Sequence, residues 1–395
     1  MKSILYIQYT DPSAYPPLEH SSILLAERGW RVCHLGVVAG GAAKDLTLVR
    51  HDSISASLMS PPQRRGLTPL HYVRFLAWCR SEILRRRPSV VYCSDVRSYP
   101  VGLWASRLPG VVTVLHEHDP PRPGAGGIVG RLLWKARELF ASRASLVVIP
   151  QDERARRFQE ETDADRGKMH VVYNCPLKRE IEEQASERKA SGSGVTLWYH
   201  GALGEGQLPS AVIDALALAP DDVRLEFAGY ETVSGKGHVE KLIERAQALG
   251  LADRVRYYGA LPLRADLLRA AARADIGLAL FANRFRDPMV GASNKPFDYL
   301  ACGLPLLTNR TPEWEGFFGA AGVSISCDPE NPDDIARAAL ALRNDPARRR
   351  AMADTGRRLV ETKWNYEAQF ARVLRIINGA DVRLVAGECA AACKL

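Results

Sequence analysis

The sequence predicts an α/β fold built from two doubly wound parallel sheets. Short β-branched runs alternate with helical patterns along most of the chain, and a charged stretch ending in Ser-Gly-Ser-Gly divides this alternation into two similar runs. The length of 395 residues also favours two domains over one. Because ligands of open α/β sheets bind beyond the carboxyl ends of the strands, we expect the functional residues there.

Composition excludes several classes of protein. The chain is 46% hydrophobic, 25% charged and 8% aromatic, which is typical of a folded globular protein. We expect it in the cytoplasm, because it has neither an 18-residue apolar window nor a signal-peptide core. The eight cysteines form no Cys-x-x-Cys pair and are predicted to be reduced. A net charge of +8 favours a phosphate-bearing molecule or an anionic membrane, but lacks the dense basic patch of a nucleic-acid binder.

The first run of elements predicts a domain over residues 1–176. Strands are expected at 3–9, 31–38, 89–93, 111–115, 146–149 and 169–173. Helices are expected at 18–29, 69–87, 128–143 and 152–161. The charged residues 177–194 are predicted to be a linker.

The second run predicts a domain over residues 195–362. Strands are expected at 195–200, 223–228, 255–257, 276–280 and 305–308. Helices are expected at 208–218, 237–249, 264–273 and 294–302, followed by further helices to about residue 377. The tail 381–395 shows no periodic pattern and carries no structural prediction.

The strongest local signal lies in residues 293–305. A loop containing Gly291 leads into a helix near Asn294, whose free backbone amides and positive end can hold a phosphate. Lys295 adds a full charge, and Asp298, one turn later, suits the two hydroxyls of a ribose. The alternative is an ordinary helix start with a Lys–Asp pair in its first turn. Spacing alone leaves both interpretations open.

A second polar cluster follows the predicted strand 111–115. His116, Glu117, His118 and Asp119 should emerge at the carboxyl end of the first sheet. Two histidines flanking carboxylates can form a metal site, but no third group of ligands with suitable spacing accompanies them. A structural role is the more common outcome for His116 than for His118.

Several blocks of the chain resemble one enzyme family. Residues 294–305, NKPFDYLACGLP, resemble the NKxFEYxAxGLP segment of family 4 glycosyltransferases, which are retaining enzymes of the GT-B fold. In the same order, similar blocks occur at 171–176 (VVYNCP), 199–203 (YHGAL), 274–278 (ADIGL) and 363–366 (KWNY). The resemblance covers roughly residues 1–378. It implies two Rossmann-like domains with a cleft between them and a helix within 363–380 that returns to the first domain.

The resemblance also implies a reaction. The donor would be a nucleoside diphosphate sugar and the acceptor a small or lipid-linked molecule, with retention of configuration and neither a cofactor nor a metal. His118 would be catalytic with Asp119 beside it, and the acceptor side would contain Tyr15, Pro16 and His116. The first loop has no Gly-x-Gly-x-x-Gly fingerprint, so a dinucleotide is not expected there. The implied donor-binding residues are Gly201, Ala202, Leu261, Gly291, Ala292, Ser293, Asn294, Lys295 and Asp298.

Some positions depart from the family pattern. Val290 replaces a frequent Glu, and the second acidic residue is Asp298 rather than Glu. Ala202 and Gln207 replace an Arg and a Lys that bind the diphosphate in many members. The charge neutralisation is therefore expected from Lys295 and the amino terminus of its helix, with Arg284 or Arg286 as further candidates. Two alternatives therefore stay open: a nucleotide-sugar 2-epimerase of the same architecture, and an inactive partner of a transferase.

The predicted helix 128–143 is basic and amphipathic. Such a helix can lie on an anionic membrane, which would place the protein at the inner face of the membrane. A helix that covers the sheet with a solvated basic face is the more common outcome. The oligomeric state is not predicted by the sequence.

Overall fold

A computed structural model describes residues 2–38, 46–62, 68–121, 127–185, 194–231, 235–284 and 289–379. Within these ranges the strands form two parallel sheets, one of seven strands and one of six. Contacts along the chain define two units. One contains most residues through Asn174 together with those from Tyr366 on, and the other contains Cys175–Asn365. The α/β fold with two doubly wound parallel sheets is confirmed. The tail 381–395 lies outside the described residues.

The first unit contains the seven-stranded sheet, in the order β3-β2-β1-β4-β5-β6-β7. Its strands are β1 Ser3–Ile7, β2 Arg31–Val37, β3 Ile54–Met59, β4 Val90–Cys93, β5 Val112–His116, β6 Leu146–Ile149 and β7 Met169–Val171. Its first five helices are α1 Pro16–Ala26, α2 Thr68–Arg86, α3 Tyr99–Ala105, α4 Gly127–Arg143 and α5 Asp152–Thr162. The central strands are buried on both faces, as is usual in a parallel sheet covered by helices.

The second unit contains the six-stranded sheet, in the order β10-β9-β8-β11-β12-β13. Its strands are β8 Val195–Leu203, β9 Val223–Glu231, β10 Val255–Tyr257, β11 Ile276–Ala279, β12 Leu306–Asn309 and β13 Ser324–Cys327. Its helices are α6 Lys178–Ala185, α7 Ala211–Ala217, α8 His238–Ala248, α9 Arg264–Ala271, α10 Lys295–Ala301, α11 Pro312–Trp314, α12 Pro332–Arg343 and α13 Pro346–Thr362.

The predicted linker 177–194 differs from the structure in its first half. Residues 178–185 form helix α6, and Ile181 on this helix is buried. Lys, Arg, Glu, Gln and Ala are good helix formers, so the charged composition is compatible with a packed helix as well as with a linker. Residues 186–193 lie outside the described ranges.

The last helix, α14 Tyr366–Ile377, belongs to the first unit. It packs against α1, and its buried face includes Phe370, Val373 and Leu374. The element was expected within residues 363–380, and the contacts place its start at Tyr366.

Candidate functional site

Lys295 is the first residue of α10, and its ammonium lies near two aromatic rings. Its Nζ lies 5.1 Å from the ring centroid of Tyr199 and 5.1 Å from that of Phe281. In the part of the chain that the structure describes, this ammonium makes neither an ion pair nor a hydrogen bond. Burial lowers the pKa of Lys295 to about 8, and the nearby charge of Asp298 offsets this only in part. An anion placed here would be attracted and would favour the protonated form.

Two glycines keep the backbone beside Lys295 uncovered. Gly201 in β8 has a φ of +117°, and a Cβ on it would lie 3.0 Å from Cε of Lys295. Its neighbour in β9, Gly229, has a φ of +143°, and a Cβ there would lie 1.8 Å from the Gly201 carbonyl oxygen. Both positions therefore require glycine. The absence of a side chain at Gly201 lets the Lys295 side chain lie beside the backbone of β8.

Asp298 lies one turn after Lys295 and is enclosed by other side chains. It is only 1% exposed. Arg264 donates to both carboxylate oxygens, from Nη2 to Oδ1 at 2.7 Å and from Nη1 to Oδ2 at 3.1 Å. Burial would raise the pKa of Asp298, but Arg264 and His200 outweigh it and hold that pKa below its ordinary value. The expectation of a carboxylate open to a ribose is therefore not met, because Arg264 covers it.

His200 completes this cluster as a neutral hydrogen-bond donor. Its Nδ1 accepts a hydrogen bond from the indole N–H of Trp198 at 3.0 Å, so the proton of the neutral ring is on Nε2. Nε2 lies 3.3 Å from Oδ2 of Asp298 and donates to it. Burial lowers the pKa of His200, an effect that Asp298 partly opposes. The same Arg264 also binds Glu180 on α6 at 2.6 Å, which joins α6, α9 and α10.

The turn before α10 satisfies its own amides. The backbone N–H groups of Ala292 and Ser293 both donate to the carbonyl of Met289, at 3.1 and 2.9 Å. Gly291 has a φ of +84° in this turn, and the side chain of Asn294 makes no capping hydrogen bond. The helix begins one residue later than predicted and has seven residues. The amides of Ala292 and Ser293 are therefore already paired, and the binding of a phosphate by the first-turn amides of α10 stays a prediction.

Two further predicted donor residues occupy the carboxyl ends of strands. Ala202 continues β8, and its carbonyl accepts from the Tyr199 hydroxyl at 2.5 Å. Leu261 is half-buried in the loop that follows β10. This loop leads to Arg264, the residue that sequence reasoning missed. Its position could have indicated a role, because Arg264 is the first residue of the predicted helix 264–273, which begins at the same edge of the sheet as the segment 294–305.

The first unit contains a pair of buried imidazoles at the end of β5. The rings of His116 and His118 are 3.7 Å apart between centroids. Nδ1 of His116 bonds to the Tyr92 hydroxyl at 2.9 Å, and both Nε2 atoms are buried without a hydrogen-bond partner among the described residues. Burial, with a smaller effect from Arg154, lowers the pKa of His118 to about 3, and burial holds that of His116 well below its usual value. Both rings are therefore neutral near pH 7.

Glu117, between the two histidines, anchors the segment to α4. Arg137 donates to both of its carboxylate oxygens, at 2.5 and 2.8 Å. The guanidinium also lies 4.8 Å from the Trp134 ring and 4.6 Å from the Phe158 ring. Sequence reasoning missed this pair and treated Arg137 as part of a solvated basic face. The structure buries it, which fixes the backbone that presents His118.

The remaining predicted residues of the first unit divide into two groups. The Tyr15 ring lies 5.3 Å from the His118 ring, and Pro16 begins α1 beside it. Asp119 points outward, since its side chain is 81% exposed and lies 4.0 Å from Nη1 of Arg154. Arg154 instead donates to the His118 carbonyl at 2.6 Å. The structure thus brings Tyr15, His116 and His118 together and leaves Asp119 at the surface.

The described residues contain neither a metal-binding cluster nor a membrane-spanning helix. No group of three or more His, Cys, Asp or Glu side chains in these ranges has the arrangement of a metal site. No helix in the same ranges combines the length and hydropathy required to cross a bilayer.

Solved structures share this fold across almost the whole chain. HepE from Anabaena, crystallised in complex with UDP, is 18% identical, with a TM-score of 0.74, and the match covers 96% of this chain and 100% of HepE. Sucrose-phosphate synthase from Thermosynechococcus elongatus is 14% identical, with a TM-score of 0.74 and the same coverage. Identities this low show the fold alone.

Two domain models match the sequence itself. A glycosyl transferase 4-like domain matches residues 23–175, and a glycosyl transferase-like domain matches residues 212–375. The chain belongs to the GT-B glycosyltransferases. A relative of this GT-B protein is the GDP-mannose-dependent monoacylated alpha-(1-6)-phosphatidylinositol monomannoside mannosyltransferase of Corynebacterium glutamicum, 28% identical over 178 residues. That match spans 44% of this chain and 43% of the relative, less than half of either.

Proposed function

We propose that the chain transfers a sugar from a nucleoside diphosphate sugar to a hydroxyl group of an acceptor. The observation that carries this proposal is the ammonium of Lys295, which lies beside the bare backbone of Gly201 and has no charged partner among the described residues. A half-buried cation without an ion-pair partner gains when a ligand supplies the negative charge. The family match and the UDP bound to HepE support a diphosphate as that ligand.

The reaction breaks the bond between the anomeric carbon and the β-phosphate oxygen. The acceptor oxygen forms the new bond to that carbon, its proton passes to the departing phosphate, and a nucleoside diphosphate leaves. Retention of configuration is part of the proposal and is supported by the family resemblance of residues 294–305. Lys295 stabilises the negative charge that develops on the leaving diphosphate, because neither Ala202 nor Gln207 carries a charge.

His118 contributes as a neutral group. With a pKa of about 3 it carries no proton that it can lose near pH 7, so it acts as a hydrogen-bonding partner of the sugar and not as a general acid. Asp298 acts indirectly, by holding Arg264 and His200 in place on the edge of the sheet that carries Lys295.

Calorimetry with UDP and GDP tests the donor site. Both nucleotides are needed, since HepE was crystallised with UDP and the mannosyltransferase relative is GDP-mannose-dependent. Lys295→Met should weaken the preferred diphosphate by about ten-fold or more, whereas Lys241→Met on the exposed face of α8 is the matched control and should not. Failure of both nucleotides to bind the wild-type protein would contradict the proposal.

Product analysis separates the transferase from its alternatives. A transferase releases nucleoside diphosphate faster when an acceptor is added and forms a glycoside. An epimerase would convert the sugar nucleotide into its 2-epimer, and an inactive partner would bind nucleotide without turnover. The comparisons do not favour the epimerase, since the two domain models and the relative are glycosyltransferases.

We also propose peripheral membrane contact through the first half of α4. Ile128, Val129 and Leu132 are 69%, 53% and 66% exposed, and Arg131 lies among them. Apolar residues flanked by basic ones suit the surface of an anionic bilayer. The double variant Ile128→Ser with Leu132→Ser should reduce co-sedimentation with phosphatidylglycerol vesicles. The second half of α4, which contains its buried residues, is left unsubstituted in this variant. Equal sedimentation of wild type and double variant would contradict it.

A further inference from the structure

A cavity of about 400 Å³ lies in the first unit, at the carboxyl end of β3 and the start of α2. Strand β3 is the edge strand of the sheet, and its last residue, Met59, forms part of the wall. The volume is that of a pocket for a small ligand. The lining residues are Met59, Ser60, Pro61, Pro62, Leu70, His71 and Arg74.

The wall of this cavity is mainly apolar, and the imidazole of His71 at one side of it is already hydrogen-bonded. His71 Nε2 lies 2.8 Å from the Ser60 carbonyl, which only accepts, so the proton of the neutral ring is on Nε2. Nδ1 then accepts from the Tyr9 hydroxyl at 2.6 Å. Tyr9 lies two residues after the end of β1, one of the central strands of the sheet. These bonds fix His71 as a rigid part of the wall.

Among the lining residues that the structure describes, Arg74 is the one with a full charge. Its side chain is exposed and forms no hydrogen bond or ion pair in the described ranges. On the same helix, Leu70 is 59% exposed and Val73 is 60% exposed. The mouth of the cavity therefore combines apolar surface with an unpaired guanidinium, the group best suited to a phosphate.

We propose that this cavity is the subsite for an acceptor in which an apolar chain adjoins a phosphate. The apolar chain of the acceptor would lie against Met59, Pro61 and Leu70, and its phosphate would bind Arg74. Charge complementarity favours such an amphiphilic phosphate. A neutral polar acceptor would leave the apolar wall exposed to water and Arg74 without a charged partner. The assignment of an acceptor rests on the proposed transferase function, whereas the binding chemistry rests on the cavity alone.

Calorimetry with soluble probes on the full chain tests the cavity. The probes are monomeric dodecyl phosphate, dodecyl glucoside with a neutral head, and inorganic phosphate. The variants are Arg74→Gln and Leu70→Ser. The control is Arg80→Gln, because Arg80 also lies on α2 but its guanidinium packs over the Trp104 ring of α3. All three positions are exposed, so the fold should be retained, and far-ultraviolet circular dichroism checks this.

Dodecyl phosphate should bind the wild-type protein more tightly than either other probe. Arg74→Gln should weaken dodecyl phosphate about ten-fold and leave dodecyl glucoside nearly unchanged, and Leu70→Ser should weaken both amphiphiles. Equal losses in Arg74→Gln and Arg80→Gln would overturn the proposal. So would binding to phosphatidylglycerol vesicles without binding of monomeric dodecyl phosphate, since that result indicates adsorption to a membrane.

UDP and GDP titrations of the same samples keep the two proposals apart. If dodecyl phosphate behaves as expected and neither nucleotide binds, the transferase function fails and the cavity stands as a binding site. If a nucleotide binds and turns over while Arg74→Gln has no effect on any probe, the function stands and the acceptor subsite is wrong.

Discussion

Both units bury polar side chains near their sheets, but these side chains differ in charge: the imidazoles of the first unit are neutral, and the carboxylate of Asp298 in the second is ionised. At the end of β5, burial lowers the pKa of His116 and His118, so both imidazoles stay neutral. In the second unit, Asp298 keeps its charge because Arg264 and His200 pair with it. Lys295 lies one turn away and has no such partner among the described residues.

This difference assigns different tasks to the two regions. A neutral imidazole can orient a sugar by hydrogen bonds but cannot balance a diphosphate. A paired carboxylate is already satisfied and holds its neighbours in place. The unpaired ammonium of Lys295 is the group in this comparison that gains most from an incoming anion.

The largest expected effect is the loss of the buried ion pair. Asp298→Ala should lower the free energy of unfolding by about 3 kcal/mol, because it leaves Arg264 with only Glu180 as a partner. The folded-state pKa of Asp298 is depressed, so this stabilisation is present above the unfolded pKa near 4 and is lost as pH falls further. Urea unfolding at several pH values measures both.

Asp214→Ala is the matched control for this prediction. Asp214 pairs with Arg245 at 2.7 Å on the surface, so its removal should cost less than about 1 kcal/mol. An Asp298→Ala variant that keeps its stability and loses nucleotide affinity would restore the direct contact with ribose that the sequence suggested.

The next effect concerns the neutral imidazole. His118→Ala should lower kcat by about 100-fold with little change in nucleotide affinity, the size expected for a positioned polar group. Because its pKa is about 3, the ratio of wild-type to variant kcat should stay constant between pH 5 and 9. A ratio that changes with a midpoint near pH 6.5 would show that His118 titrates in the ordinary range, which would contradict a neutral ring at pH 5 to 7.

The smallest effect concerns His116, whose ring packs against that of His118. Tyr92→Phe removes the hydroxyl that binds Nδ1 of His116 and should cost about 1 kcal/mol of unfolding free energy. Nucleotide affinity should not change, because Tyr92 belongs to the first unit. An unaltered stability would mean that the hydrogen bond between Tyr92 and His116 contributes nothing to the fold.

The sequence predicted the sheets well where strands are continuous apolar runs. Strands β3 and β13 were missed because their residues mix Ser and apolar side chains at sheet edges, which are only partly buried. Helix α6 was missed because it lies in a charged stretch that ends in Ser-Gly-Ser-Gly at residues 191–194. Edge strands and short helices depend on tertiary contacts that local patterns do not encode.

The site was predicted in part for a related reason. The motif at 294–305 located Lys295 and Asp298, since both lie within one helical turn. The pairing of Asp298 with Arg264 joins positions 34 residues apart, and Glu117 with Arg137 joins positions 20 apart. Such pairs arise when elements pack and are not visible in residue spacing. The carboxylate of Asp298 is paired in this way, and its contact with a ribose stays a prediction.

Proton uptake on nucleotide binding tests the central role of Lys295 most directly. With a pKa of about 8 in the free protein, Lys295 is partly neutral at pH 8, and a bound diphosphate should raise that pKa. Affinity should therefore be constant below pH 7 and fall as pH rises through 8 to 9. Calorimetry at pH 8 in two buffers of different ionisation enthalpy should show uptake of up to about half a proton in the wild type, and none in Lys295→Met. The same uptake in both proteins, or none in either, would contradict the assignment of the diphosphate to Lys295.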